Sequence, residues 1–347
     1  MERTDNLNIK RFRPLITPDE VKKDLPEDPQ AAHVVAGSRK IIQNILTNKD
    51  KRRLVIAGPC SLHDRDATLE YARRLNKLQT GLSEKVLLVM RAYFEKPRTT
   101  LGWKGMLYDP HLDGSYDIEF GLRQSRGILL EIAKLGLPAA TEFLDPIVPQ
   151  YLSDLISWAA IGARTSESQI HRQMASGLSM PIGFKNATDG NLTVALDAVK
   201  AASSPHSFLG IDSNGKAIIA ETKGNKYGHL VMRGGTSEPN YSSEYVAFAE
   251  VLLQKAHIAN GIVIDCSHAN SHKDYKRQKE SLYDIADQIR GPTTIIAGVM
   301  LESFLKEGRQ SIDSVEPLKY GVSLTDSCIG WDETEDLIRH FAAAILP

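Results

Sequence analysis

RLVIAG, residues 53–58, is apolar from its second residue to its last, without the in-and-out alternation of a strand that keeps one wet face. Such a strand needs cover on both sides. The following segment supplies some of it: Leu69, Ala72, Leu75 and Leu78 recur at helical spacing and stop before Gly81. The same couplet returns downstream, in KVLLVMR (85–91), LPAATEF (137–143), WAAIGAR (158–164), MPIGFK (180–185), GHLVMRG (228–234), GIVIDCS (261–267) and TTIIAGVM (293–300). Alternation of strand and helix implies a parallel sheet, and eight units favour an α/β fold of the (β/α)8 TIM-barrel type over an open doubly wound sheet. Ser166 and Gln169 have the spacing of a capping box for a helix that stops at Gly177.

Two stretches fall outside the eight units. Residues 1–50 read as an N-terminal extension, leaving 51–347 for the barrel. Within the barrel, about 204–226 reads as an inserted β-hairpin, because 208–211 and 217–222 flank the turn Ser213, Asn214, Gly215.

Composition narrows the function. At 347 residues and 42% hydrophobic content the chain can bury a large core. Lys+Arg 42 against Asp+Glu 43 gives a net charge of -1, which argues against nucleic-acid or anionic-membrane binding. The start, MERTDNLNIKRF, has no apolar leader, and no run is long enough to cross a bilayer. Three cysteines (Cys60, Cys266, Cys328) fit a reducing compartment rather than a disulfide framework, so a cytoplasmic location is expected.

In a barrel enzyme the reactive groups sit at the C-terminal strand ends and in the loops that follow. Read in order, those ends carry Cys60, Arg91, Glu142, Arg164, Lys185, Arg233, His268 and Glu302. Cys60, His268 and Glu302, with Asp326 from the last loop, make a thiolate, an imidazole and two carboxylates, a set that suits Mn, Fe, Zn or Co better than Mg or Ca. Taken singly, Cys60 also reads as a small buried hydrophobe and Asp326 as a cap or turn residue. Arg91, Lys96, Arg98, Arg164, Lys185 and Arg233 form a second, cationic subset whose density implies a multiply anionic substrate. His268 and His272 have the spacing of a helical zinc pair, but Ala269 stands where a general-base Glu is needed, so His272 reads as structural or exposed. The loop GGTSEPN lacks P-loop spacing, and Gly234 and Gly235 read as points of close backbone approach.

The motifs GPCSLHD (58–64), EKPRTTLGWKG (95–105), AIGARTSESQIHR (160–172), GFKNATDG (183–190), VMRGG (231–235), DCSHANSHKDY (265–275) and TDSCIGW (325–331) together resemble the type I 3-deoxy-D-arabino-heptulosonate 7-phosphate (DAHP) synthases. The resemblance runs from about residue 3 to the C-terminus. It implies condensation of phosphoenolpyruvate with erythrose 4-phosphate and water, the first step of the shikimate pathway, at one divalent metal per subunit. It places the metal ligands at Cys60, His268, Glu302 and Asp326, and phosphoenolpyruvate at Arg91, Lys96, Glu142, Ala163, Arg164, Lys185 and Arg233. Arg98 and Thr99 would hold the phosphate of erythrose 4-phosphate, Lys96 would deliver a proton, and Cys60 and His268 would act through the metal. Ala187, Ser166 and Ala92 depart from the usual pattern without removing a functional group.

A feedback site is implied as well, at Asp5, Asn6, Pro146, Pro149, Gln150, Ser179, Phe208 and Gly210, built between subunits of a homo-oligomer, a dimer or tetramer. Asn6, Pro146 and Gly210 resemble the tyrosine-sensitive branch, with Gly210 leaving room for a phenol hydroxyl. The nearest rivals are a 3-deoxy-manno-octulosonate 8-phosphate synthase, a Schiff-base aldolase using Lys185, and a non-catalytic sugar-phosphate sensor.

Overall fold

The computed structural model describes residues 3–291, 295–312 and 316–346. Two helices, α1 (Pro18–Asp24) and α2 (Pro29–Leu46), precede the first strand. Strands and helices then alternate: β1 (Arg53–Gly58), α3 (Arg65–Thr80), β2 (Val86–Arg91), α4 (Ile118–Lys134), β3 (Ala139–Glu142), α5 (Pro149–Leu152), β4 (Trp158–Ile161), α6 (Gln169–Gly177), β5 (Ile182–Lys185) and α7 (Thr193–Ala202). The remainder is β6 (Ser207–Ile211), β7 (Ala217–Glu221), β8 (Gly228–Met232), α8 (Ser243–Lys255), β9 (Ile262–Asp265), α9 (Gln278–Arg290), β10 (Ile296–Glu302) and α10 (Trp331–Ala344).

The sheet closes in the order β1-β2-β3-β4-β5-β8-β9-β10, every pair parallel. Closure is by β1 on β10, with Leu54 opposite Gly298 and Gly58 opposite Glu302. The continuous apolar runs follow from this arrangement, because alternate residues serve different cores. Leu54 and Ile56 face the interior with Val89, Trp158, Val231, Val263 and Met300. Val55 and Ala57 belong to the outer layer, under the helices.

Helix α2 determines which mouth stays open. Its Ile42, Ile45 and Leu46 join the interior cluster, the Leu46 carbonyl accepts from Gly261 N at 2.8 Å, and Ser38 Oγ meets Ser157 Oγ at 2.7 Å. Burial of three such side chains contributes about 5–9 kcal/mol. Because α2 covers the N-terminal end, ligands must enter at the C-terminal end.

The inserted hairpin is present as expected, β6 and β7 pairing antiparallel from Ser207 opposite Glu221 to Ile211 opposite Ala217. Other readings need correction. Cys60, Arg164, Arg233 and His268 lie one to three residues beyond their strands, in the loops. Thr293 and Thr294 of the last run lie outside the described residues. The capping box at Ser166 does not form: α6 is preceded by Ser168, while Ser166 Oγ donates to the carbonyls of Gly162 (3.1 Å) and Lys185 (2.8 Å). A buried hydroxyl between two strand-end carbonyls gains more than an exposed cap.

Candidate active site

Cys60 follows the β1 terminus through Pro59, which puts its thiol at the barrel mouth, fully buried. Sγ lies 3.3 Å from Asp326 Oδ2, and ligand atoms of Cys60, Glu302 and Asp326 all fall within 4.8 Å of one another. His268 stands at the edge of this group, its Nε2 3.8 Å from Glu302 Oε1. Two carboxylates beside a thiol are unfavourable without a cation. Here Lys96 supplies one, its ammonium donating to Cys60 Sγ at 3.0 Å. Burial, then Glu302, push the Cys60 thiol up to about 12. For Lys96, burial works against the charge, but Cys60, Glu302 and Asp326 outweigh it and raise its pKa above the ordinary lysine value.

The donor set suits a borderline transition metal, with one soft and three harder ligands. The environment of His268 supports this. Its Nδ1 lies 2.9 Å from Asp265 Oδ2 and 2.7 Å from Ser267 Oγ, and the Ser267 hydroxyl donates to Asp265 Oδ1 at 2.6 Å. A proton on Nδ1, which these partners favour, leaves the Nε2 lone pair free to face Glu302.

Asp265 was not singled out from the sequence, although it is the one charge inside the apolar run GIVIDCS. It is fully buried and also accepts from Lys185 Nζ at 3.0 Å. Burial opposes its ionisation, but His268 and Lys185 hold the carboxyl well below the usual carboxylate range. Gln278 is a second residue that pattern reading missed. Its side-chain amide bonds Glu302 O and N, both at 2.9 Å, and steadies the end of β10.

The cationic subset converges beside this group. A cavity of about 120 Å³ is lined by Arg91, Lys96, Arg98, Glu142, Ala163, Arg164, Lys185 and Arg233, with His268 and Asp326 on its wall. Arg91 is buried, pairs with Glu302 Oε1 at 3.1 Å and lies over the Tyr93 ring at 3.7 Å. Arg98 Nε is tied to Trp103 O at 2.8 Å, and Arg164 Nη1 to Pro97 O at 3.2 Å. Thr99 is exposed and does not line this cavity.

Glu142 is buried, yet its Oε1 has no hydrogen-bond partner among the described residues. A Cβ at position 162 would lie 2.2 Å from that oxygen, so glycine is needed there for the carboxylate to face the cavity. Gly234 has φ +78, and a Cβ there would come within 2.7 Å of Ala269 C, so close approach of the two loops explains it. His272 is exposed.

The residues read as a feedback site are only partly assembled. Hairpin and N-terminal segment meet where Asp19 N donates to Ser213 O at 2.9 Å, and Tyr151, beside Pro149 and Gln150, donates to Ile16 O at 2.6 Å. Gly210 has space, since a Cβ would meet only ordinary contacts at 3.7–3.9 Å from Ile218, Ala220 and Phe208. Asp5 and Asn6 are exposed, and their hydrogen bonds among the described residues are to each other, Arg3 and Ile9.

The sequence matches the DAHP synthetase I family over residues 25–339. The chain belongs to that family. It is an enzyme, a transferase of the DAHP synthase class. A phospho-2-dehydro-3-deoxyheptonate aldolase of Escherichia coli described as Trp-sensitive is 50% identical over 345 residues, covering 99% of each chain. A Phe-sensitive relative from the same organism is 52% identical over 98% of this chain and 97% of its own. A Tyr-sensitive one is 50% identical over 96% and 94%. The aldolase of the same name from Francisella tularensis superposes with a TM-score of 0.96 at 48% identity, over 97% of this chain and 98% of that one. Relatives with three different sensitivities are thus about equally similar, and overall identity does not favour tyrosine.

Proposed function

We propose that this DAHP synthase condenses phosphoenolpyruvate with D-erythrose 4-phosphate and water, giving 3-deoxy-D-arabino-heptulosonate 7-phosphate and inorganic phosphate. The observation that carries the reading is the contact of Lys96 with Cys60: one ammonium touches the thiol and also lines the cationic cavity. Cys60, His268, Glu302 and Asp326 would hold one divalent ion of the Mn, Fe, Co or Zn class, which supplies Lewis-acid polarisation of the aldehyde oxygen when bound.

The protein's own groups do the rest. Arg164, Lys185 and Arg233 hold the enol phosphate, Arg91 its carboxylate side, and Arg98 with Thr99 the phosphate of the aldose, offsetting the repulsion between two multiply charged substrates. Lys96, kept protonated by its acidic neighbours, delivers a proton to the oxygen of the former aldehyde. Glu142 Oε1 is free to accept a hydrogen bond from substrate or from the attacking water.

The finer reading includes a homo-oligomer in the cytoplasm, inhibited by tyrosine at Asp5, Asn6, Pro146, Pro149, Gln150, Ser179, Phe208 and Gly210. Space at Gly210 supports a ligand with a hydroxylated ring. The test supplies phosphoenolpyruvate with four- or five-carbon aldose phosphates and each aromatic amino acid. Phosphate release with the four-carbon sugar alone, suppressed by tyrosine, is expected. Preference for the five-carbon sugar would indicate the octulosonate-type rival, and inhibition by phenylalanine or tryptophan alone would overturn the tyrosine assignment.

A further inference from the structure

A second cavity, of about 420 Å³, opens on the other side of Arg164 and Arg233. It shares those two arginines, His268 and Asp326 with the first cavity, but Lys273 and Arg309 line only this one of the two. Neither Lys273 nor Arg309 has a side-chain hydrogen bond or ion pair among the described residues. Exposed arginines elsewhere, such as Arg74, Arg277 and Arg339, pair with Glu70, Glu280 and Glu335. Among the described residues Arg164 and Arg233 likewise have only backbone carbonyls as side-chain hydrogen-bond partners, those of Pro97 and Gly234. Four cations without a carboxylate therefore surround one water-accessible space. The two carboxylates on its wall, Glu302 and Asp326, belong to the proposed ligand set.

The backbone that carries Lys273 is unusual. His268, His272 and Lys273 all have left-handed φ, at 57°, 52° and 63°, a conformation unfavourable for side chains of this kind. The turn is held by Lys273 N donating to His268 O at 2.7 Å, by His272 N to Ala269 O at 3.0 Å, and by Asn270 Nδ2 to Asp265 O at 2.8 Å. This firmly supported strain sets Lys273 on the wall of the second cavity together with His268.

We infer that this second cavity is a binding site for inorganic phosphate, gripped by Lys273 and Arg309 and reached from the first cavity along Arg164 and Arg233. The inference rests on the proposed reading of the first cavity as the phosphoenolpyruvate site. Condensation releases the phosphoryl group by C–O cleavage as inorganic phosphate, and that dianion needs a cationic route out of a cavity that also holds the aldose phosphate. The two shared arginines keep contact with it until Lys273 and Arg309 take over.

Calorimetric titration of inorganic phosphate into the full-length protein already saturated with phosphoenolpyruvate tests this, with no aldose phosphate present and so no turnover. One phosphate per subunit is expected here, in addition to any that fills the Arg98 and Thr99 site left vacant by the aldose phosphate. Lys273→Met and Arg309→Gln should each weaken it roughly tenfold while phosphoenolpyruvate affinity stays within about twofold. Both positions are exposed, so the variants should fold. Phosphoenolpyruvate binding without any phosphate binding, or unchanged phosphate affinity in the double variant, overturns the second site alone. Failure of phosphoenolpyruvate itself to bind the unmodified protein removes the reading on which the inference stands.

Discussion

Asp265 shows how much of the chemistry rests on a side chain that makes no proposed contact with substrate or metal. From a dry position it fixes the His268 ring and neutralises Lys185. Replacing it with asparagine keeps the shape and removes the charge. Asp265→Asn is expected to weaken metal binding about 10–100-fold, measured by competition with a chromogenic chelator; unchanged affinity would show that the His268 orientation needs no carboxylate. Lys96→Met should lower kcat about 10²–10⁴-fold with metal content intact, and near-normal kcat would remove its role as proton donor. At this scale the sequence was legible where a charged or soft residue ends an apolar run, as with Cys60, Arg91 and Glu302. It was silent on Asp265 and Gln278, because partners brought together by β9, α9 and β10 leave no spacing signal in the chain.

Elements were easier to read than their edges. The apolar runs announced all eight barrel strands, and Gly81 and Gly177 marked helix ends correctly. The start of α6 was misread because two serines, Ser166 and Ser168, stand within one turn, and tertiary contact rather than local spacing decided which hydroxyl faced inward. Strand β8 carries a prediction of its own. His229 lies inside the barrel, accepting from Trp158 Nε1 at 3.0 Å and facing Tyr227 O at 3.1 Å. Burial pushes its pKa down from 6.5 to about 4. The unfolded chain therefore binds the proton first as pH falls, so stability is lost from about pH 6.5 down to the folded value, by at most about 3 kcal/mol. In His229→Gln, which can keep both hydrogen bonds, Tm should fall less steeply between neutral pH and that range. Equal slopes would show that His229 contributes nothing to acid sensitivity.

The hairpin is separable in the same way. Its ends, Ser207 and Glu221, are paired neighbours, so a short turn can replace what lies between them. Thr222, which bonds Ser176 Oγ at 2.7 Å, would be kept. Such a variant should unfold as cooperatively as the parent by calorimetry and turn over normally, but lose inhibition by the amino acid. Retained inhibition would move the regulatory site elsewhere.

Over the whole molecule, the division of labour follows from which mouth is closed. With α2 packed under the barrel, thiol, carboxylates and arginines can meet only at the opposite end. Within the segment before α1, Arg13 and Ile16 bond to Tyr116, Glu119 and Tyr151 of the barrel, while Leu7 and Phe12 stay exposed, at 67% and 75%. No helix among the described residues is long and apolar enough to cross a membrane. Large apolar side chains exposed in this way suit contact with a second copy. Removing residues 1–12 is expected to reduce the solution mass by light scattering and abolish feedback; an unchanged mass would refute that use of the segment.

The central claim is that the thiol and carboxylates beside Lys96 form a metal centre on which condensation depends. It is tested most directly by removing metal with a chelator, adding phosphoenolpyruvate and erythrose 4-phosphate, and following heptulosonate phosphate formation before and after Mn is restored. The unmodified protein should be inactive when stripped and recover on addition, whereas Cys60→Ala should bind metal poorly and stay inactive. Full turnover by the stripped protein, or recovery of Cys60→Ala to the parental rate, would contradict it.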